Sequence, residues 1–411
     1  MTCKKKKLYL LTLLSGLASG LTAPIIYIFI INKGISIAEV SILITAISLT
    51  MILFEVPSGL LAERFGKSKA YTLSLILNVL FSFGIFYFDD LPSLLLFMFF
   101  GGLAMSLASG TLEAILINGV QEQENKSEIV QKRVAALKSA RVVGIVIGAV
   151  FSLLTSLTYL YFPSYYSTFD YMDIGFIAMC FMYAVQLPIS LTIKDEQYTE
   201  QHKPTFLVML SESILSLKRE NVTRVLMLST LVFAVGVIAI EKFWQIRLSQ
   251  LIEERSLPWL FSVAFICASL TSLIGHAYST KLCDLFDNNF NAVLVFCRVL
   301  CACAFLTIFL SDALWVFIFG LLVVNFAFSA SQSVLSALLH ANVENSKRAA
   351  SLSYLSCFNQ LGGIIGIGLM AVVASSSSIA YVFLVSGIVI MLSAGFHIRK
   401  LDSQYDCAIQ Q

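Results

Sequence analysis

Charged residues are scarce in this chain. Asp, Glu, Lys and Arg make up 13% of its 411 residues, whereas a soluble protein carries about 25%. Hydrophobic residues make up 58%, and the mean hydropathy is +0.85. The low charge excludes a soluble enzyme. The net charge of +2 comes from scattered basic residues, which excludes a nucleic-acid-binding face. We therefore expect a polytopic membrane protein in contact with lipid.

Nucleotide, metal and catalytic motifs are also missing. The sequence has no Gly-x-x-x-x-Gly-Lys loop, so nothing in it indicates ATP-driven pumping. Its four histidines are far apart, and its nine cysteines fall mostly in apolar runs without metal-binding spacing. No polar stretch is long enough to form an enzyme domain. We expect no cofactor, no metal ion and no catalytic residue.

Apolar runs of membrane-spanning length recur twelve times. A helix of about 20 apolar residues crosses the hydrocarbon core of a bilayer. The first run follows four lysines, is too long for a signal peptide's apolar region and lacks a small-residue cleavage site, so it is interpreted as a span. The twelve runs are 8–31, 37–62, 70–88, 92–117, 134–160, 171–193, 222–246, 258–280, 290–310, 313–337, 349–374 and 378–398.

The basic residues predict an orientation in the membrane. If both termini are cytoplasmic, 22 of the 27 Lys and Arg residues lie on cytoplasmic segments and 4 lie on the opposite side. The longest polar interruption, 194–221, follows six spans and is interpreted as a cytoplasmic linker. The predicted domains are an N-terminal six-helix bundle at 1–193, this linker, a C-terminal six-helix bundle at 222–400 and a cytoplasmic tail at 401–411.

Short matches between the two halves indicate an internal repeat. Thr111–Val120 matches Val334–Val343 at four of ten positions, with an offset of 223. Lys132–Leu137 matches Lys347–Leu352 at four of six positions, with an offset of 215. A third, looser match has an offset of 221. In transporters such repeats pack around a site near the bilayer midplane.

A charged turn, Gly59–Lys69, separates the second and third spans. Its ionisable groups cannot lie in hydrocarbon, so the turn marks a membrane surface, and its basic residues place it on the cytoplasmic side. Gly59 is expected to let a neighbouring helix come close, because it has no side chain. Gly66 is expected to adopt a positive φ in the turn.

This turn resembles the cytoplasmic loop signature of the major facilitator superfamily, Gly-x-x-x-Asp-Arg-x-Gly-Arg-Arg. Here Glu63 replaces the Asp, and Lys67 and Ser68 replace the two Arg residues. The preceding Phe54–Gly59 is similar to a bacterial efflux-like subgroup. The resemblance implies an all-α membrane protein with twelve transmembrane helices in two six-helix pseudo-repeats. It also implies a monomeric secondary active transporter of a small-molecule substrate in the bacterial cytoplasmic (inner) membrane.

Acids inside spans need an explanation, because each costs about 2.5–3.5 kcal/mol at mid-helix. Glu55 lies in the second span and Glu113 in the fourth. One interpretation is proton coupling, because a buried carboxylate can bind and release protons near neutral pH. A static ion-pair cluster is another. The resemblance implies a third, a conformational latch formed by Gly59, Glu63, Arg64, Gly66, Lys67 and Glu113.

Small polar residues line one face of the tenth span. They recur at helical spacing, which indicates that they face protein or water rather than lipid, and they are Asn325, Ser329, Gln332, Ser333 and Ser336. The resemblance places this span beside the substrate cavity; hydrogen bonding between helices is the alternative. Further cavity candidates, for which packing is the alternative, are Tyr27, Met105, Ser109, Phe233 and Trp244.

Two pairs of glycines predict close helix crossings. Gly144 and Gly148 lie in the fifth span, and Gly362 and Gly366 lie in the eleventh. Each pair has the small-xxx-small spacing that lets two membrane helices approach closely. Arg298 is a lone charge within the ninth span, and it faces either the bundle or the membrane interface.

Efflux by proton antiport is the leading hypothesis for function, because of the subgroup resemblance. Two features of proton-coupled exporters are missing, however. Phe97–Gly102 lacks the Arg-x-x-Gln-Gly pattern, and Gly148 is followed by Ala149 rather than proline. The alternative within transport is uptake or export of a dedicated metabolite or siderophore. The alternative of another class is a non-transporting sensor or scaffold.

Overall fold

The computed structural model describes residues 3–118, 126–162, 170–193, 221–252, 257–342 and 348–409. The regular structure of these residues is helical, and none of them lies in a strand. The predicted linker at 194–221 lies outside the described residues, except for Asn221. The all-α class expected from the sequence is confirmed.

The chain divides into two compact units. Unit 1 comprises Met1–Lys203 with Glu254–Ile266, and unit 2 comprises Pro204–Glu253 with Cys267–Gln411. The helices of unit 1 are α1 (Cys3–Thr22), α2 (Ile26–Asn32), α3 (Ile37–Phe65), α4 (Lys67–Tyr87), α5 (Leu91–Ala108), α6 (Thr111–Asn118), α7 (Lys126–Tyr161) and α8 (Tyr171–Leu191).

Unit 2 contains the remaining helices and one π-helical turn. They are α9 (Asn221–Ile238), the π-turn (Ala239–Phe243), α10 (Trp244–Leu251), α11 (Trp259–Leu285), α12 (Phe290–Leu310), α13 (Leu314–Asn342), α14 (Arg348–Ser376) and α15 (Ala380–Ile409). The first residues of α11 group with unit 1 and the rest with unit 2. The last helix continues beyond the predicted span end at 398, into the predicted tail.

Eleven helices among the described residues are long and apolar enough to cross a membrane. A twelfth span is obtained if α1 and α2 are counted together, although they meet at a bend of 42°. The sequence predicted one continuous first span at 8–31. The break falls at Pro24, because proline lacks an amide hydrogen and clashes with the preceding helical turn. The fourth span is also interrupted, between Ala108 and Thr111.

Acids beside the spans cap helices. The Asp90 carboxylate accepts a hydrogen bond from the Ser93 amide at 2.9 Å at the start of α5, which lowers the pKa of Asp90. The Asp170 carboxylate accepts from the Tyr171 amide at 2.6 Å at the start of α8, and burial raises its pKa. These groups satisfy free amides at helix ends, which gives each a structural role.

A glycine-lined crossing joins α1 and α7 in unit 1. A Cβ atom added to Gly144 would collide with the Leu13 carbonyl, and one added to Gly148 with the Leu17 carbonyl. From the other side, a Cβ on Gly16 or Gly20 would collide with the backbone of α7. The close crossing predicted for Gly144 and Gly148 is therefore confirmed.

Unit 2 repeats this crossing between α9 and α14. A Cβ on Gly362 would collide with the Leu231 carbonyl, and one on Gly366 would lie 2.7 Å from the Val235 carbonyl. The first and fifth spans of each unit thus meet through the same spacing of small residues. The predicted crossing at Gly362 and Gly366 is also confirmed.

These crossings predict opposite effects for two alanine substitutions. Alanine normally stabilises a helix by about 0.5–1 kcal/mol relative to glycine. Gly144→Ala should nevertheless destabilise the protein by about 1–3 kcal/mol, because the added methyl group overpacks the contact with α1. Gly368→Ala is the matched control, since a Cβ there meets no atom within 4 Å. Thermal unfolding of the purified protein measures both, and a Gly144→Ala protein as stable as Gly368→Ala would contradict the assigned crossing.

Candidate functional site

Gly66 shapes the charged turn between α3 and α4. Its φ of 103° lies in a region that favours glycine, as predicted. Behind the turn, Ala62 and Ala70 pack with Leu107 of α5. The Ser68 hydroxyl donates to the Ile193 carbonyl at 2.7 Å. The turn is therefore fixed to α5 and to the end of α8.

The predicted latch residues are only partly brought together. Arg64 is exposed, and its guanidinium lies 5.5 Å from the centre of the Phe65 ring. The side chain of Glu63 lies outside the described part of the chain. Among the described side chains, Arg64 and Glu113 form no ion pair. No atom of the described residues lies within 4 Å of a Cβ built on Gly59, so no described helix makes the close approach expected there.

Glu55 and Glu113 are both half-buried, and neither carboxylate has a hydrogen bond or ion pair to another described residue. Beside Glu55, the Ser58 hydroxyl donates to the Ser106 carbonyl at 3.1 Å, which ties α3 to α5. Glu113 lies in the first turn of α6, after Gly110 with its φ of 67°.

The polar face of α13 connects largely to α11. Buried Ser329 shares a hydrogen bond with Ser272, and Ser333 lies 2.8 Å from His276 Nδ1. Asn325 Nδ2 donates to the Leu321 carbonyl of its own helix at 2.8 Å. Hydrogen bonding between helices thus accounts for Ser329 and Ser333. The side chains of this face that keep open surface are Asn325, Gln332, Ser333 and Ser336, all half-buried.

The other cavity candidates divide by exposure. Met105 is 45% exposed, Ser109 is exposed at the break in the fourth span, and Tyr27 is half-buried. Phe233 and Trp244 are only 1% and 6% exposed, so neither presents open surface in this conformation. For these two residues the structure shows packing, which was the alternative interpretation.

Arg298 is the centre of a buried polar cluster in unit 2. It has no exposed surface, and its Nη1 donates to the Ser229 hydroxyl and, at 2.7 Å, to the Ser393 carbonyl. The guanidinium carbon lies 4.9 Å from the centre of the Phe233 ring, a cation–π contact. Nε and Nη2 have no hydrogen-bond partner among the described residues. Arg298 therefore faces the bundle, which resolves the alternative left by the sequence.

A histidine extends this cluster. His397 Nε2 lies 2.7 Å from the Ser229 hydroxyl, and Nδ1 lies 3.0 Å from Asn291 Oδ1. Because an amide oxygen only accepts, Nδ1 carries the hydrogen and Nε2 accepts from Ser229.

Unit 1 has a corresponding cluster without a charge. The Ser15 hydroxyl donates to Gln186 Oε1 at 2.8 Å and lies 2.9 Å from the Tyr71 hydroxyl. These residues lie on α1, α4 and α8, the first, third and sixth spans of unit 1. Ser229, Arg298 and His397 lie on the first, third and sixth spans of unit 2. Of these residues only Arg298 stands out in the sequence, because its partners are single polar residues in otherwise apolar spans.

Glu241 is a further candidate that the sequence patterns did not single out. This acid lies on the π-turn between α9 and α10, inside the span Arg224–Leu251. Its side chain is exposed, although the span is the most buried of those identified among the described residues. The adjacent charges of Glu241 and Lys242 in an apolar run were the available sequence signal.

No metal centre is present in the described part of the chain. No group of three or more His, Cys, Asp or Glu side chains lies close enough there to hold a metal ion. The polar side chains described in the spans can form hydrogen bonds and can bind charged groups.

Comparison with known proteins supplies the family context. A sequence profile described as Major Facilitator Superfamily matches residues 8–289 and 247–404. An uncharacterized MFS-type transporter, YxaM of Bacillus subtilis (strain 168), is 21% identical over 276 residues. That alignment covers 67% of this chain and 66% of the relative.

Solved transporter structures share the fold. A variant of the nucleoside transporter NupG superposes with a TM-score of 0.77 at 11% identity, covering 96% of this chain and 99% of that one. The unmodified NupG gives 0.75 at 12% identity, covering 97% and 99%. A bacterial homologue of the human lysosomal transporter Spinster, in an inward-facing and unoccupied conformation, gives 0.68 at 13% identity, covering 97% and 95%.

The Arg298 cluster predicts different effects for two serine substitutions. Ser229→Ala should cost about 1–3 kcal/mol of stability, because it leaves His397 Nε2 and a guanidinium donor without that hydroxyl. Ser393→Ala is the matched control, since Arg298 contacts only the backbone carbonyl of Ser393, which alanine keeps. Thermal unfolding measures both variants. Equal losses from the two substitutions would contradict the assigned cluster.

Proposed function

The chain belongs to the major facilitator superfamily, and we propose that it moves a small organic solute across the cytoplasmic membrane by alternating access. The family is one of transporters rather than enzymes. The observation that carries the proposal is the repetition between units. In each unit, a small-residue crossing joins the first and fifth spans, and a buried polar cluster joins the first, third and sixth. Repeated bundles of this kind are the moving parts of secondary transporters.

Export driven by a proton gradient is the proposed direction and coupling. Glu55 and Glu113 support it, because each is a half-buried acid in a span with no partner among the described residues. In this proposal one of the two carboxylates exchanges a proton as the protein changes conformation. The charged turn acts as the latch, with Glu63, Arg64 and Lys67 on one side and Glu113 on the other.

The proposed substrate path includes the side chains that keep open surface. They combine hydroxyl, amide, thioether and phenol groups, which suit an organic solute with several hydrogen-bonding groups. In unit 2 these side chains are Asn325, Gln332, Ser333 and Ser336 of α13, and in unit 1 they are Met105, Ser109 and Tyr27.

Flux through the purified protein in proteoliposomes tests the proposal. An imposed pH gradient should drive movement of at least one solute in a broad panel of drugs, metabolites and siderophores, and a protonophore should abolish it. Glu55→Gln or Glu113→Gln should lower this flux at least tenfold, while solute exchange without a gradient continues, because glutamine cannot carry a proton.

The controls separate coupling from the latch and from a loss of transport. Arg64→Ala leaves both acids in place, so it should change exchange without a gradient if the latch is correct. If both glutamine variants keep full gradient-driven flux, the proton role fails. No movement of any solute by the wild-type protein would support the sensor or scaffold alternative.

A further inference from the structure

Glu241 stands out within the seventh span. Every residue from Val225 to Ser249 is buried or half-buried except Glu241, whose side chain is exposed. Protein atoms nevertheless surround its carboxyl group on most sides. A side chain that is surrounded by protein and still keeps open surface lines a recess.

Exposing a charged side chain at this position in the membrane costs free energy, so the exposure of Glu241 indicates a function. Leu251, the end of the span, follows Glu241 by ten residues, which is about 15 Å along a helix. The span is 28 residues long, so Glu241 lies inside it and away from both of its ends. A charged side chain there faces the bundle interior or water rather than lipid, and such groups mark substrate or ion pathways.

The local backbone is built to present this residue. The turn Ala239–Phe243 is π-helical, and single π-turns inside helices occur frequently at functional sites. Ala239, Ile240 and Phe243 of the same turn are buried, as is Trp244 directly after it. The buried neighbours fix the turn, and Glu241 alone projects into open space.

Among the described residues, none forms an ion pair with Glu241. Its carboxylate has no hydrogen bond or ion pair to another described residue, and the charge acting on it is that of the adjacent Lys242. A metal ion would need several oxygen ligands, whereas the described residues hold no metal-binding group. The exposed surface of Glu241 leaves room for an organic ligand, whereas binding of a proton would not need that room.

The flanking helices offer groups that would complete such a site. Both α9 and α10 pack against α13, whose polar face includes half-buried Asn325 and Gln332. A single carboxylate supplies the charge, and amide and hydroxyl groups supply hydrogen bonds. This combination suits a small solute with one positively charged nitrogen.

We propose that Glu241 binds the cationic nitrogen of the transported solute, which would make organic amines and quaternary ammonium compounds the substrate class. The proposal rests on the transport function proposed above and assigns its specificity. Ionic attraction to a carboxylate is stronger inside a span than in bulk water, because the surrounding protein and lipid screen it less.

Binding of three probes of similar size tests this inference. They are benzyltrimethylammonium, its neutral isostere neopentylbenzene, and the anion phenylacetate. The quaternary cation cannot lose a proton, so its binding separates recognition of a cation from proton exchange. Thermal stabilisation and equilibrium binding are measured on the purified full-length protein in lipid nanodiscs. Wild type should bind the cation at least tenfold more tightly than either other probe.

Three variants complete the experiment. Glu241→Gln should weaken cation binding at least tenfold, and Glu241→Asp, which keeps the charge, should retain a substantial part of it. Asp284→Asn is the matched control, because Asp284 is an exposed acid at the end of α11. Monodispersity and thermal unfolding without ligand show whether each variant is folded.

Several results would overturn the assignment. They are wild type that does not bind the cation at millimolar concentration, equal affinity for the cation and its neutral isostere, and Glu241→Gln that binds as tightly as wild type. None of these results would remove gradient-driven flux of another solute, so the transport function is judged separately. Loss of gradient-driven flux in Glu241→Gln with unchanged cation binding would assign the carboxylate to proton exchange instead.

Discussion

Hydrocarbon offers no hydrogen-bonding partner, and this constraint governs every polar group in the spans of this protein. A serine or threonine in a span satisfies itself on a carbonyl of its own helix, as Thr12 does on Leu8. A charged side chain in a span needs several interaction partners. Arg298 has three: a serine hydroxyl, a backbone carbonyl and an aromatic face. Glu241 has none of these and instead keeps open surface. The two residues show the two solutions available to a charge within a membrane.

The two solutions correspond to two roles. A buried cluster fixes helices within one unit, because breaking it leaves a polar group unsatisfied in a medium without water. The clusters around Gln186 and Arg298 join the same three spans of their respective units, beside small-residue crossings with the same spacing. Rigid units of similar construction are what alternating access requires, since the units must move as bodies. An acid with open surface contributes little to that rigidity and is available to a ligand.

Much of the fold is predictable from the sequence, and the reasons are physical. Spans follow from hydropathy, because about 20 apolar residues have no other stable location. Gly66 and the glycine pairs are predictable because a positive φ and a close crossing both select against side chains. The break at Pro24 had a local signal, and so did the one at Gly110, but the hydropathy of each run masked them.

The site is less predictable, because partners in space come from different helices. Nothing local to Ser229 indicates that it bridges Arg298 and His397. The polar face of α13 was visible in the sequence, but its pairing with Ser272 and His276 depends on the crossing with α11 at Gly275. Burial of Phe233 and Trp244 likewise depends on packing. The π-turn has no sequence rule, so Glu241 could have been noticed only as an acid in an apolar run.

Contact of Glu241 with water inside its membrane span is tested most directly by carboxyl labelling. The protein in lipid nanodiscs is treated with a water-soluble carbodiimide and an amine, and the modified acids are identified by peptide mass spectrometry. If Glu241 is in contact with water, it should be modified together with exposed acids outside the membrane, such as Asp312. Modification of Asp312 while Glu241 reacts only with a lipid-soluble carbodiimide, or with neither reagent, would contradict it.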